Sequence, residues 1–408
     1  MVSFGKFGIL CVVFMIMFTV KVRAAPNGGT YDEKDLKEKI SFFNSDEHDT
    51  IGSSVTLPNA LGITSILTLP NGVAVPFSKI VALAGDFFGV PDTPIIDPAA
   101  DGTQGVEREK RRKRFLAAFG TLAFDKGKDL PARVQKLVKM IDEDHKAIKS
   151  GGKLHTDAEW DKATGGFWAG GLPVKFGGML SLATKNFDHF QPQATQAYLA
   201  GHELAVLKAR EAAKDSNAVT KKGKLMEAYA LDAFAAHFLT DSFSAGHIRT
   251  PRVELHNKVI IQNIGDYLSK FMHDEDCKYG LRVKNKKGKE WISYGDKYLM
   301  ANGNKENLGI VNQAIQKSVL QVYEAFKNPA SVINPNEVID FVPFVNPAAV
   351  NNAPLFQMKQ GQLLRRLSVK NLQDQQTKSD WWGVPTATMN MAQGSDRENS
   401  ALPSALFQ

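Results

Sequence analysis

The chain has 408 residues, 43% of them hydrophobic and 23% charged, with a formal net charge of +7 and two cysteines. That balance excludes an intrinsically disordered chain, a collagen and a multispan membrane protein, and at this length one large domain or two smaller ones can bury a core without disulfides. The positive surplus favours anionic partners such as phosphate esters or acidic lipid surfaces, but it is too diffuse to mark a nucleic-acid binder.

Residues 1–25 read as a secretory signal: Lys6 closes a short basic start, residues 7–20 are apolar except for Thr19, and Val22, Arg23 and Ala24 offer a cleavage site. The apolar run falls short of the roughly 20 residues a spanning helix needs; the alternative reading is a membrane anchor. Cleavage would remove three basic residues, lowering the formal charge from +7 to +4, and would leave Cys277 as the single thiol. An exported chain with one thiol has no internal disulfide, so core packing or bound metal must stabilise it. The sequence contains no Asn-x-Ser/Thr sequon.

Residues 26–50 are polar and read as a loose arm, with a short helix expected near 33–43. Alternation over 66–75 around Pro70, Asn71 and Gly72 predicts a hairpin. Residues 80–88 predict a short helix ended by Gly89, with Pro91 and Pro94 beyond. The charge block at 107–114 opens an amphipathic helix, although Arg111 to Arg114 also fits a furin-type processing site. Residues 150–178 carry four Gly-Gly pairs, none at phosphate-loop spacing, and predict a mobile loop or a substrate lid. Helical spacing then predicts helices over 192–214, 224–243, 255–272 and 304–326, with a hairpin inside 279–291. Beyond Asn328 the composition predicts an irregular surface tail, disordered after about Gly394.

The chemistry concentrates in residues 233–252, AFAAHFLTDSFSAGHIRTPR. His237 and Asp241 share one face of an apolar helix, where both need a partner. His247 would point about 120° away from Asp241 on a continuous helix, so Gly246 is expected to end the helix and turn His247 back. His189 precedes this stretch and His273 follows it, so that six of the nine histidines lie between 189 and 273, with His189, His237, His247 and His273 each beside aromatic or acidic neighbours. Imidazoles and a carboxylate in this density point to a metal site, with a metal-free His-Asp pair as the plainer alternative. His145, His155 and His202 read as solvent-facing.

The block HFLTD followed six residues later by His247, with an HF pair at His189 before it and a His-acid cluster at His273 after it, resembles the zinc-dependent phospholipase C and single-strand-specific nuclease superfamily, closest to its bacterial secreted phospholipase C branch. The resemblance covers roughly 186–300, more weakly 77–140. It implies an all-α helical bundle over 26–330, with small hairpin insertions, a Gly-rich insertion at 150–180 and a C-terminal extension over 331–408. It also implies two zinc ions, up to three. Carried onto this chain, Asp86, His189, His237 and Asp241 would hold one zinc, His247, His273 and Asp276 a second, and His48 with Asp241 a third.

Three departures stand out. No tryptophan lies near the expected mature start, the fourth residue after His273 is Cys277 rather than an acid, and Asp86 lies far ahead of His189. Asp274 and Glu275 are alternatives to Asp276, and His256 is a rival to His273. The implied function is secreted phospholipase C activity on lipid head groups by zinc-bound hydroxide, with Asp86 as both ligand and proton acceptor and Arg249 and Arg252 as candidate phosphate contacts. Transient membrane-surface contact is expected and a stable nucleic-acid partner is not. A nuclease with the same metal site and a non-catalytic binding or matrix protein are the competing readings.

Overall fold

Runs rich in alanine and leucine are strong helix formers, and here they build the centre of the molecule. The computed structural model describes residues 45–98, 104–150, 152–296 and 304–393. The signal segment, the 33–43 helix and the chain after 394 lie outside these residues. In chain order the elements are α1 (Ser45–Ser53), β1 (Ile66–Thr68), β2 (Ala74–Pro76), α2 (Phe77–Leu83), α3 (Gln104–Ala123), α4 (Leu130–Ser150), α5 (Asp157–Ala163), β3 (Phe167–Ala169), β4 (Leu172–Lys175) and α6 (Gly178–Ala183). There follow α7 (Gln193–Lys214), α8 (Ala218–Asp241), α9 (Ala245–Arg249), α10 (Arg252–Lys258), α11 (Gln262–Tyr279), β5 (Leu281–Lys284), β6 (Glu290–Ser293) and α12 (Lys305–Lys327). The last are α13 (Asn336–Ile339), β7 (Phe344–Val345), β8 (Phe356–Lys359), β9 (Gln362–Arg366), β10 (Thr377–Lys378) and α14 (Gly383–Gln393).

Helices α7 and α8 form a hairpin about which α2, α3 and α12 pack. Asn217 caps α8 by accepting from the amides of Val219 and Thr220, satisfying two of its unpaired N-terminal donors. From Ala228 onward α8 is buried on every side, as an all-round apolar helix must be. Gly201 permits this closeness: a Cβ there would lie 2.2 Å from the Phe115 ring and 2.7 Å from Ala235 Cβ. The small sheets are all antiparallel: the hairpins β1–β2 and β3–β4, and the three-stranded β6–β5–β7 and β10–β9–β8.

Several expectations are corrected. The 80–88 helix runs instead from Phe77 to Leu83 and gives way to a tight turn in which Gly85 adopts φ +71°. The 255–272 helix is two helices, because Val259, Ile260 and Ile261 are consecutive β-branched residues that resist helix. The Gly-rich segment is ordered around buried Asp161, whose carboxylate accepts from Trp168 Nε1 and from the Gly177 amide, each at 2.8 Å. His202 is buried, with Nδ1 2.8 Å from Asp232 and Nε2 2.9 Å from Gln321.

The tail is likewise more than a surface wrap. Residues of β8, β9 and α14 join α10 and α11 in a second apolar cluster that includes Leu268, Met272 and Phe356. Fully buried Arg366 donates to both oxygens of Glu275 at 2.8 Å and to the carbonyls of Ala353, Ser368 and Val369. Removing one partner of such a pair strands a buried charge, at a cost of about 3–5 kcal/mol. Arg366→Ala is therefore expected to destabilise by about that amount in urea unfolding; an unchanged midpoint would contradict the tail's structural role.

Candidate metal centre

The last turn of α8 carries His237 and Asp241, and the partners of each ring fix which nitrogen faces the cluster. His237 Nδ1 lies 2.9 Å from the carbonyl of Val81, which is available because α2 ends two residues later. Nδ1 therefore carries the proton and Nε2 is an acceptor. In α1, His48 Nδ1 lies 2.5 Å from Thr240 Oγ1, and that hydroxyl donates its single proton to the His237 carbonyl at 2.8 Å. Thr240 must accept, so His48 also turns an acceptor nitrogen, Nε2, toward Asp241 Oδ1 at 3.6 Å.

His189, from the 3-10 turn Phe187–His189, places Nδ1 3.0 Å from Asp241 Oδ2, 3.3 Å from His237 Nε2 and 3.9 Å from Asp86 Oδ1. Asp86 reaches this point from the tight turn after α2, and a Cβ on Gly85 would lie 2.6 Å from the His237 ring. Helix α8 stops at Asp241, and residues 242–244 turn the chain so that α9 brings His247 Nδ1 to 3.2 Å from Asp241 Oδ1. Gly246 does not end α8, as expected, but sits inside α9, where a Cβ would meet the His273 ring at 2.4 Å.

His273, on α11, places Nδ1 2.9 Å from Asp274 Oδ1 and Nε2 3.0 Å from Asp296 Oδ2. A carboxylate that fixes the outer nitrogen of a histidine while the inner one faces a site is the usual second layer of a metal centre. Asp296 arrives from the far side of the β5–β6 hairpin. Ser293 Oγ ties that hairpin to the Phe243 carbonyl at 2.6 Å, and Ser244 Oγ donates to Asp296 Oδ1 at 2.9 Å.

The donors fall into three groups whose atoms lie within 4.8 Å of one another: Asp86, His189 and His237; His247, His273 and Asp296; and His48, His237 and Asp241. Both oxygens of Asp241, Oδ2 of Asp86 and Oδ2 of Asp296 are buried, and the groups nearest them are imidazole nitrogens, with His189 Nδ1 against Asp241 Oδ2 and His273 Nε2 against Asp296 Oδ2. Asp241 faces the acceptor Nε2 atoms of His48 and His237, and a buried anionic oxygen against an acceptor nitrogen is unfavourable unless a proton or a cation lies between them. The titration behaviour shows the pull of this site on positive charge. Burial opposes charge on His189, yet the carboxylates of Asp241, Asp86 and Asp188 outweigh it and hold the pKa up at about 9. Burial lowers His48 to about 4 and drives His237 well down, which keeps both as neutral ligands. Burial raises the Asp86 carboxyl well above the ordinary range. For Asp241 burial acts the same way, but His237, His189 and His247 overcome it and hold the carboxyl well below that range. The centre thus favours positive charge, whether as a proton on His189 or as a bound ion, and its nitrogen and oxygen donors fit a divalent ion.

Of the ligands expected from sequence, Asp86, His189, His237, Asp241, His247, His273 and His48 converge, and Asp276 does not. Both Asp276 oxygens are taken by Arg249, at 2.6 and 2.9 Å, and Asp296 stands in the corresponding place. Nothing near His273 in sequence signals Asp296, because it comes from another element. Cys277 Sγ lies 3.6 Å from His273 Nε2 and 4.0 Å from Nδ1, so it sits beside the ring rather than in line with either lone pair. Burial pushes its thiol up to about 11, which disfavours a thiolate ligand. His256 bonds Asp266 outside the three groups. Both arginines are tied into the fold: Arg249 holds Asp276 and the Asn352 carbonyl away from the cleft, whereas Arg252, which lines the cleft, holds Asp266, Asn186 and the carbonyls of Ala183 and Thr184.

Asp86, His189, His247, His273 and Asp296 form the floor of a cleft of about 230 Å³. One wall is apolar, with Phe87, Trp160, Phe176, Met179 and Leu180; α11 supplies a polar wall with Asp266, Lys270 and Asp274. The purified protein is expected to hold at least two equivalents of a divalent metal by elemental analysis. Asp296→Asn should lose one of them while Asp276→Asn keeps both; the reverse outcome would restore Asp276 as the ligand. An ion at a thousandfold its Kd would contribute about 4 kcal/mol. Chelation should accordingly lower Tm on the order of 10 °C, and an unchanged melt would count against a bound ion. Comparison with family models, curated proteins and solved structures finds no match for this chain.

Proposed function

We propose that the chain is a secreted, zinc-dependent phosphodiester hydrolase with the architecture of the zinc-dependent phospholipase C and single-strand nuclease superfamily, acting as a phospholipase C on lipid head groups. The observation that carries this reading is the convergence of five imidazoles and three carboxylates, linked through Asp241, of which Asp86, His189, His247, His273 and Asp296 floor an open cleft with an apolar wall. Imidazole nitrogen with carboxylate oxygen is the donor set typical of zinc. Asp86, His189, His237 and Asp241 would hold one ion, and His247, His273 and Asp296 a second, with His48 and Asp241 available to a third.

Bound among these donors, zinc supplies Lewis acidity to phosphoryl oxygens and brings the pKa of water to about 7. The chain's own groups do the rest. Asp86, at the cleft floor, would accept the proton given up by the attacking water. The Val81 carbonyl and the Thr240 hydroxyl keep His237 and His48 in the tautomers that face inward. The wall of Phe87, Trp160, Phe176 and Met179 excludes water and offers a hydrocarbon surface for the lipid end of the substrate. A nuclease is the second reading, favoured by the Phe87–Trp160 ring pair at 5.1 Å, on which a base could stack.

Phosphocholine release from lecithin, set against nucleotide release from single-stranded DNA, divides the two. The lipid is expected to be the better substrate. His237→Ala should abolish turnover, and a fully active variant would refute the assignment. Asp274→Asn should weaken zinc binding by about 10–100-fold, the usual effect of removing an outer-layer carboxylate. A zinc-loaded protein that cleaves neither substrate would reassign the chain to a non-catalytic binding role.

A further inference from the structure

The insertion between α5 and α6 has an unusual surface. Its β3–β4 ribbon reads Phe167, Trp168, Ala169, Gly170, Gly171, Leu172, Pro173, Val174, Lys175, with one charged residue and, besides it, only the Trp168 indole N–H as a polar side-chain group. Phe167 is 57% exposed and Val174 40%, although a two-stranded hairpin has no apolar face to spare for water. The ribbon is nevertheless held firmly, by Trp168 Nε1 and the Gly177 amide on the Asp161 carboxylate.

From 162 to 187 the chain carries Lys162, Lys175 and Lys185 and no acidic residue. Exposed apolar side chains flanked only by cations match the boundary of a bilayer with anionic head groups, where hydrocarbon enters the acyl region and lysines meet phosphates. The same stretch runs directly into the cleft wall through Phe176, Met179, Leu180 and Leu182.

We propose that the β3–β4 hairpin docks on an anionic phospholipid surface and thereby sets the mouth of the cleft against the head groups. The docking surface deepens the phospholipase reading for the same site but is tested apart from turnover. Co-sedimentation of the whole protein with phosphatidylcholine vesicles, with and without phosphatidylserine, gives the affinity. Wild type should bind, and more tightly with phosphatidylserine. The double variant F167D/V174D should lose at least tenfold in affinity, and K175E should lose the phosphatidylserine preference. Both should keep the wild-type melt and wild-type hydrolysis of a soluble short-chain phosphodiester, since none of these side chains lines the cleft. Absence of wild-type binding, or unchanged affinity in the double variant, would overturn the proposal. Vesicle binding that responds to these variants in a protein that hydrolyses nothing would keep the docking surface and reject the enzyme reading.

Discussion

The Asp241 carboxylate is the constraint around which the rest of the structure is arranged. It is buried at the end of a helix that has no exposed face over its last turns, and both its oxygens face imidazole nitrogens. Left alone, such a group would be protonated or the fold would open. Four histidines from four elements surround it instead, at 3.0 to 3.6 Å. Each element has a recognisable reason to be where it is: α2 ends where its carbonyl can hold His237, the Ser242–Ser244 turn redirects the chain to His247, and Gly246 lets α9 approach α11.

The apolar core and the polar centre therefore depend on each other. The alanine-rich α7–α8 hairpin gives α8 its all-round burial, and burial in turn keeps His48 and His237 neutral and available as ligands. The C-terminal segment contributes at one remove. By pairing Arg366 with Glu275 it fixes α11, the helix that presents His273 and lines the polar wall of the cleft.

Much of this was legible in the sequence where the signal is local. The i, i+4 spacing of His237 and Asp241 in an apolar run, the histidine density between 189 and 273, the central helices and the hairpin near Asn71 all depend on short-range periodicity, and each is found. What failed depends on distant elements. Asp276 looked like the natural acid beside His273, but Arg249 in α9 captures it. Asp296 could not be found by spacing, since a hairpin anchored to Phe243 delivers it. His202 looked exposed because its partners, Asp232 and Gln321, lie on other helices. Glycine pairs suggested a mobile loop, whereas one buried aspartate, Asp161, organises the whole insertion.

The central claim is that cations lie between these imidazoles and carboxylates. Anomalous scattering from crystals, recorded on either side of the zinc absorption edge, tests it most directly. The account predicts one peak enclosed by Asp86, His189, His237 and Asp241 and another by His247, His273 and Asp296. An empty map, with a protonated His189 bonded straight to Asp241, would contradict it.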